Sequence, residues 1–263
     1  MEELKKCCYC GKEYQIQEIK VLGIVRKMQF ASCNCQELQE EKEKQLRIEQ
    51  ERREKAKAKT DAIKRVLNCP LMTPLFQDKS FEKLKELEKN VQVSEEYLKH
   101  KEKCFQYAQE FQKGFSGLFM IGGVGTGKTT LQACIIKELE KRGKICLLIN
   151  FSTLLDLFIQ ACNFESGTSV LELYRNIALF DYIVLDDIGR EKYTEKRLEF
   201  AFRVIDTLMN HNVTVSVTTN PECFKKLTSI PEYKAIVDRL RDMCPNNMTF
   251  NGISFRGANV TKY

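Results

Sequence analysis

Apolar positions along this chain follow two periods, and their alternation predicts most of its elements. Leu118-Phe119-Met120-Ile121, the run Ile145 to Phe151, Tyr182-Ile183-Val184-Leu185 and Val213 to Thr219 are short and almost wholly apolar or β-branched. Runs of that length and character suit strands covered on both faces. Between them, apolar residues recur every three or four positions, as in Leu131, Cys134, Ile135 and Leu139, and again in Leu198, Phe202, Ile205 and Leu208. That spacing marks helices with one apolar face. Ser94 is placed to cap a helix with Glu95 and Glu96 in its first turn and a stripe of Tyr97, Leu98, Cys104, Phe105, Ala108 and Phe111; Lys113-Gly114 is the expected stop. Ser152 is the expected cap of a short helix through Ala161, a polar turn near 163–169 follows, and a second helix spans Val170 to Leu179. Thr194 opens the helix that carries Leu198. The alternation predicts an α/β domain over residues 70–263, three layers deep around a mainly parallel sheet.

The first 69 residues break this rhythm. From Gln36 to Arg65 the chain is dense in Glu, Lys, Arg and Gln, with Glu43/Arg47 and Glu51/Lys55 at helical i,i+4 spacing. Apolar residues are too sparse for a heptad, so residues 36–69 read as a charged helical connector. Ile63, Val66 and Leu67 near its end can dock on a neighbour, and Asn68-Cys69-Pro70 stops it. Residues 1–35 carry two cysteine pairs, Cys7-x-x-Cys10 followed by Gly11, and Cys33-x-Cys35. A tight turn brings the first pair together, an extended segment puts the second pair on one face, and four thiolates suit tetrahedral zinc. Cys8 can substitute for Cys7. The residues between, including Ile16, Ile19, Val21, Ile24 and Val25, suit a β-hairpin too small to fold unaided, so metal would supply the missing folding free energy. A catalytic dithiol is the rival, but it needs no second pair.

Composition narrows the setting. Twelve cysteines among 263 residues would suggest disulfides in an exported chain. Met1-Glu2-Glu3-Leu4-Lys5-Lys6 leads into no apolar segment, and no apolar run approaches a membrane span. The expectation is a soluble cytoplasmic protein, without a membrane partner, whose thiols are metal ligands or reduced core residues. A net charge of +6 permits nucleic-acid contact without requiring it.

The chemistry concentrates after the first strand of the α/β domain. Gly122-Gly123-Val124-Gly125-Thr126-Gly127-Lys128-Thr129 reads G-x-x-x-x-G-K-T between an apolar strand and an amphipathic helix that starts through Thr130. Its glycines let backbone N–H groups turn inward around phosphates, and the helix N-terminus adds partial positive charge. Lys128 would reach the β- and γ-phosphates of ATP, and the Thr129 hydroxyl would ligate Mg²⁺. Asp186-Asp187 ends the next apolar strand but one, at the edge where parallel sheets bind ligands. Asp186 would hold Mg²⁺, directly or through water, and Asp187 would orient or deprotonate the attacking water. Asn220, ending the strand through Thr219, can hydrogen-bond the γ-phosphate or that water.

In order, Asp186-Asp187-Ile188-Gly189-Arg190-Glu191, Thr218-Thr219-Asn220, Asp238-Arg239-Leu240-Arg241-Asp242 and Phe250 to Arg256 complete a string that resembles the DnaC/DnaI-type replicative helicase loaders, with the helper ATPases of certain transposons as near relatives. The resemblance covers about residues 70–263, and the cysteine pairs look like the zinc-bearing, helicase-binding end of some loaders. It implies an AAA+ fold and an ATPase that is slow in the isolated subunit. It makes Asn220 a sensor, Arg239 an arginine finger reaching a neighbouring subunit's nucleotide, and Arg256 a second sensor within its own subunit. Arg241 competes with Arg239 for the finger role. It further implies a hexameric replicative helicase as partner, single-stranded DNA as the loading substrate, and self-assembly when ATP is bound or on the helicase. The family's DNA-binding insert would map to the two helices between Ile149 and Phe180, where Arg175 is the lone cation, so DNA contact has little support there. The alternatives are a transposition helper acting on duplex DNA and a nucleotide-switched adaptor that needs no turnover.

Overall fold

A computed structural model describes residues 6–7, 9–13, 15–21, 24–30, 33, 35–88, 93–162, 168–190, 194–252 and 254–255, with backbone alone for 17–21, 24–30 and 87. The chain divides into two compact units, residues 1–54 and 55–263.

In the first unit, β1 (Gln15–Val21) and β2 (Ile24–Phe30) form the expected antiparallel hairpin, with Gln15 opposite Phe30 and Val21 opposite Ile24. Ahead of it the chain doubles back at Gly11, which adopts φ +70°, a conformation open to glycine at little cost. The turn is closed by two backbone bonds of 2.9 Å: Gly11 N–H donates to Cys7 C=O, and Cys7 N–H donates to Lys12 C=O. Helix α1 (Gln36–Leu67) begins directly after Cys35. Its exposed flank carries an i,i+4 ion pair between Glu49 and Arg53 at 2.7 Å, displaced from the pairs expected at Glu43/Arg47 and Glu51/Lys55. Such exposed pairs contribute only about 0.3–0.5 kcal/mol, so side-chain rotamers decide which of them forms.

The last turns of α1 belong to the second unit. Ile63 and Leu67 are buried in its core, and Asn68, at φ +47°, ends the helix with its N–H donating to Lys64 C=O at 2.9 Å. The unit continues through α2 (Pro74–Gln77), α3 (Phe81–Glu88), α4 (Glu95–Glu110), β3 (Leu118–Gly122), α5 (Lys128–Lys141), β4 (Cys146–Asn150), α6 (Phe151–Gln160) and α7 (Val170–Ile177). It closes with β5 (Tyr182–Ile188), α8 (Glu195–Asn210), β6 (Thr214–Thr219), α9 (Pro221–Ser229), α10 (Pro231–Met243) and β7 (Asn246–Phe250).

The sheet order is β4-β5-β6-β3-β7 and every pairing is parallel. Strand residues alternate between two apolar layers. Phe119, Leu147, Ile149, Ile183, Leu185, Val215 and Val217 pack with α6, α7, α8 and α10 on one side. Leu118, Met120, Cys146, Leu148, Tyr182, Val184 and Met248 pack with α4 and α5 on the other. Burial on both faces explains why these strands read as continuous apolar runs.

Three expectations shift. The α6 cap is Asn150, whose side chain accepts from Ser152 N–H at 3.0 Å, so the helix starts one residue before the expected cap Ser152. Helix α4 stops at Glu110, short of Lys113-Gly114, because buried Phe111 turns extended. Strand β7 was not expected: Asn246-Asn247-Met248-Thr249-Phe250 buries only Met248 and Phe250, as an edge strand can. Ser94 and Thr194 cap as read, accepting from Tyr97 N–H and Arg197 N–H.

Candidate functional site

The C-terminal ends of β3, β5 and β6 open on one cavity of about 450 Å³. Val124, Gly125, Thr126, Gly127, Lys128, Thr129 and Thr130 line it, together with Asp186, Asp187, Arg190 and Asn220. The loop between β3 and α5 needs its glycines: Gly125 and Gly127 sit at φ +81° and +92°, and a Cβ on Gly127 would lie 2.7 Å from the Tyr97 ring. Gly122 and Gly123 contribute their carbonyls, which accept from Lys128 Nζ at 2.9 and 2.7 Å. Lys128 is buried, so an ammonium sits fixed at the mouth of a helix N-terminus. That is the charge arrangement a polyphosphate requires.

Thr129 Oγ1 donates to Asp186 Oδ1 at 2.8 Å, and Thr218 Oγ1 donates to the same oxygen at 2.5 Å. Burial pushes the Asp186 carboxyl upward, while these two hydroxyl bonds oppose the shift. A hydroxyl and a buried carboxylate side by side are a hard-oxygen donor pair, the set that Mg²⁺ takes when phosphate and water complete its shell. Residues 186–188 form an irregularity in the β5–β6 ladder, and Asp187 stands at φ +54°, uncommon for a residue with a side chain. Asp187 N–H donates to Thr218 Oγ1 at 3.0 Å, so one threonine holds both neighbouring aspartates.

Arg190 donates to Asp187 Oδ2 at 2.8 Å. The Asn220 amide lies between Gly122 and Arg190; oriented with Nδ2 donating to Gly122 C=O at 3.0 Å, its Oδ1 accepts from Arg190 at 3.2 Å. Asn220 stands at the N-cap of α9 without capping it, which leaves its side chain to the cavity.

Sequence reading passed over Arg190 and Thr218 as actors, although both stand inside quoted strings. Leu75, Phe76, Leu84, Val93, Tyr97 and Phe255 form an apolar wall of the same cavity. The Tyr97 and Phe255 rings meet edge-on at 5.0 Å, and Phe255 N–H donates to Gly125 C=O at 2.9 Å.

Other predicted residues lie elsewhere. Arg239 does not line the cavity: its guanidinium stacks on Phe202, 4.2 Å from the ring centre, and lies 3.7 Å from Asp206. Arg241 sits over the Phe224 ring at 5.3 Å. Arg256 and Cys8 fall outside the described residues. Arg175 is exposed on α7.

In the first unit the sulfurs of Cys7, Cys10, Cys33 and Cys35 all lie within 4.8 Å of one another. Cys7 and Cys35 are 3.8 Å apart, and Cys33 and Cys35 are 4.0 Å apart. A tetrahedral zinc with Zn–S bonds of about 2.3 Å sets its sulfurs about 3.8 Å apart, so the donor set fits zinc. Backbone N–H groups of Cys10 and Tyr9 pull the Cys7 thiol down to about 6, favouring the thiolate that a metal binds. Hydrogen bonding to Cys7 and Cys10 pushes Cys33 up to about 12.

The family model described as IstB-like ATP binding protein matches residues 35–262, so the turn at Cys7–Cys10 and the hairpin precede it. The chain is 27% identical to the replicative helicase loader DnaC of Escherichia coli (strain K12) over 195 residues, 74% of this chain and 76% of that one. It is 24% identical to the uncharacterized protein YdaV of the same organism over 191 residues, 72% of this chain and 69% of that one. Among solved structures it resembles the DnaC helicase loader (TM-score 0.57, 16% identity, 68% of this chain and 100% of that one). It also resembles DnaI (TM-score 0.54, 21% identity, 70% and 93%). The shared fold is the AAA+ arrangement of a parallel sheet with a strand between those carrying Lys128's loop and Asp186. Among the described residues, no helix is long and apolar enough to cross a membrane.

Proposed function

We propose that this chain, which belongs to the IstB-like ATP binding protein family, is an ATP-dependent loader that delivers a replicative DNA helicase onto single-stranded DNA. The observation that carries the proposal is its similarity to a replicative helicase loader over 195 residues, 74% of this chain.

The chemistry follows from the cavity. The inward N–H groups of residues 123–129 and Lys128 Nζ hold the β- and γ-phosphates of ATP. Thr129 and Asp186, the latter directly or through water, would hold Mg²⁺, which would neutralise charge on the phosphates. Asp187 accepts the proton of an attacking water that Asn220 orients, and Asp187 must first leave Arg190. In this account Arg239 leaves Phe202 and Asp206 to reach the nucleotide of a neighbouring subunit in an ATP-bound assembly, with Arg241 as its competitor. Arg256 reads nucleotide in its own subunit. Cys7, Cys10, Cys33 and Cys35 hold zinc, and the module they close grips the helicase.

The Asp187–Arg190 pair also favours a second reading, a nucleotide-switched adaptor whose ATP binding matters and whose turnover does not. One experiment separates them. Purified chain is mixed with the replicative helicase of the same cell, with ATP or a non-hydrolysable analogue, and helicase transfer to single-stranded DNA is followed. The loader reading expects transfer with ATP and arrest with the analogue; equal transfer with both supports the adaptor. No helicase complex under either condition overturns both.

A further inference from the structure

The cavity that holds the phosphate loop is also lined by a carboxylate that takes no part in the chemistry above. Glu88, in the last turn of α3, lines it beside Leu84, Val93 and Tyr97. Its Oε2 accepts from Lys101 Nζ, an ammonium that is itself buried. Its Oε1 is buried and has no hydrogen-bond partner among the described residues. Buried acceptors in folded proteins nearly always find donors, and each exception needs a reason. Mostly apolar walls with a few polar groups, here Glu88 and Lys79, form the kind of pocket that orients a flat, mostly apolar ligand by hydrogen bonding. A nucleotide whose phosphates rest on Gly122–Thr129 brings such a ligand, its base, into the same cavity.

We infer that the Glu88 carboxylate, turning Oε1 from its buried position into the cavity that the residue lines, accepts a hydrogen bond from the 6-amino group of adenine and thereby selects adenine over 6-oxo purines. The inference rests on the nucleotide reading above and deepens it. The amino group at position 6 supplies the missing donor. A 6-oxo group in the same pose sets one acceptor against another, and a purine with only hydrogen at position 6 leaves Oε1 unpaired. The plainer role for Glu88 is counter-ion to Lys101 alone, and the two roles share only the Oε2 bond. Lys101 needs an acceptor, which an amide oxygen also provides. Glu88→Gln can therefore keep Lys101 paired while turning an NH₂ donor into the cavity.

The test is equilibrium binding of ATP, inosine triphosphate, purine riboside triphosphate and inorganic tripolyphosphate, each with Mg²⁺, to the full chain and to Glu88→Gln. A hydrogen bond to a charged group is worth about 10- to 100-fold in affinity. The wild type is expected to prefer ATP over both other nucleotides by such a factor. Glu88→Gln is expected to invert the order of ATP and inosine triphosphate and to leave purine riboside triphosphate and tripolyphosphate unchanged. Equal wild-type affinity for ATP and purine riboside triphosphate overturns the inference without recourse to any variant. So does an unaltered ratio of ATP to inosine triphosphate in Glu88→Gln. Failure of all four ligands, tripolyphosphate included, removes the phosphate-loop reading and this inference with it.

Discussion

The cysteine cluster and the nucleotide cavity both present a donor set for a cation, and they are built in opposite ways. The sulfurs of Cys7 and Cys35 come together across 28 residues that hold one two-stranded hairpin. An isolated hairpin is marginal at best in water, so under the zinc proposal the four thiols would need the ion as much as the ion needs them. Thr129 and Asp186 are 57 residues apart, and two apolar layers fix the strands and helix that carry them. There the donors are arranged by folding energy from elsewhere, and an ion would arrive at a finished site. The lesson is a difference in dependence: the first unit should follow its metal, and the second should be indifferent to its ligand for folding.

The largest effect should follow from Cys33→Ser. Structural zinc contributes about 10–16 kcal/mol in small modules, so the hairpin should lose its hydrogen-exchange protection altogether. ATP affinity of the second unit should stay within twofold, and its loss would show that the units are not separable. Ile63→Ala sharpens the boundary, because the same helix serves both units. Its side chain is buried in the second core, and truncation should cost that unit about 2–5 kcal/mol in denaturant while zinc content holds. A fall in zinc content would contradict the division within α1. The smallest effect concerns Asp186→Asn. The folded pKa of Asp186 lies above its ordinary value, so its ionised form costs stability as pH rises through that folded pKa. Asparagine removes the cost and keeps an oxygen for Thr129 and Thr218. The melting temperature of the nucleotide-free protein at pH 8 should be equal or higher, while the Mg²⁺ dependence of ATP binding disappears. A clear drop in melting temperature would mean that Asp186 is structural.

The same contrast explains what could be read in advance. The phosphate loop, Asp186 and Asn220 were legible because a parallel sheet writes each strand as an apolar run and puts ligand-facing residues at its end. The thiols were legible as two close pairs. Strand β7 was not, since an edge strand pairing on one side tolerates Asn246, Asn247 and Thr249, and its two buried residues make too short a pattern. The Asn150 cap was missed because strand β4 runs straight into α6, and either Asn150 or Ser152 has the chemistry. Arg190 and Glu88 were hidden for another reason. Each is an ordinary charge in a polar stretch, and only the fold sets Arg190 between Asp187 and Asn220, or leaves one oxygen of Glu88 buried beside a ligand cavity.

The burial of Ile63 and Leu67 also says where the two units can be parted. Removing residues 1–69 would strip the second core, whereas removing 1–54 leaves it whole. Binding of ATP and of the replicative helicase by the chain lacking 1–54 is therefore the most direct measurement. The account predicts ATP affinity unchanged and the helicase complex lost; a helicase complex that persists at full affinity would contradict the assignment of the grip to the cysteine module.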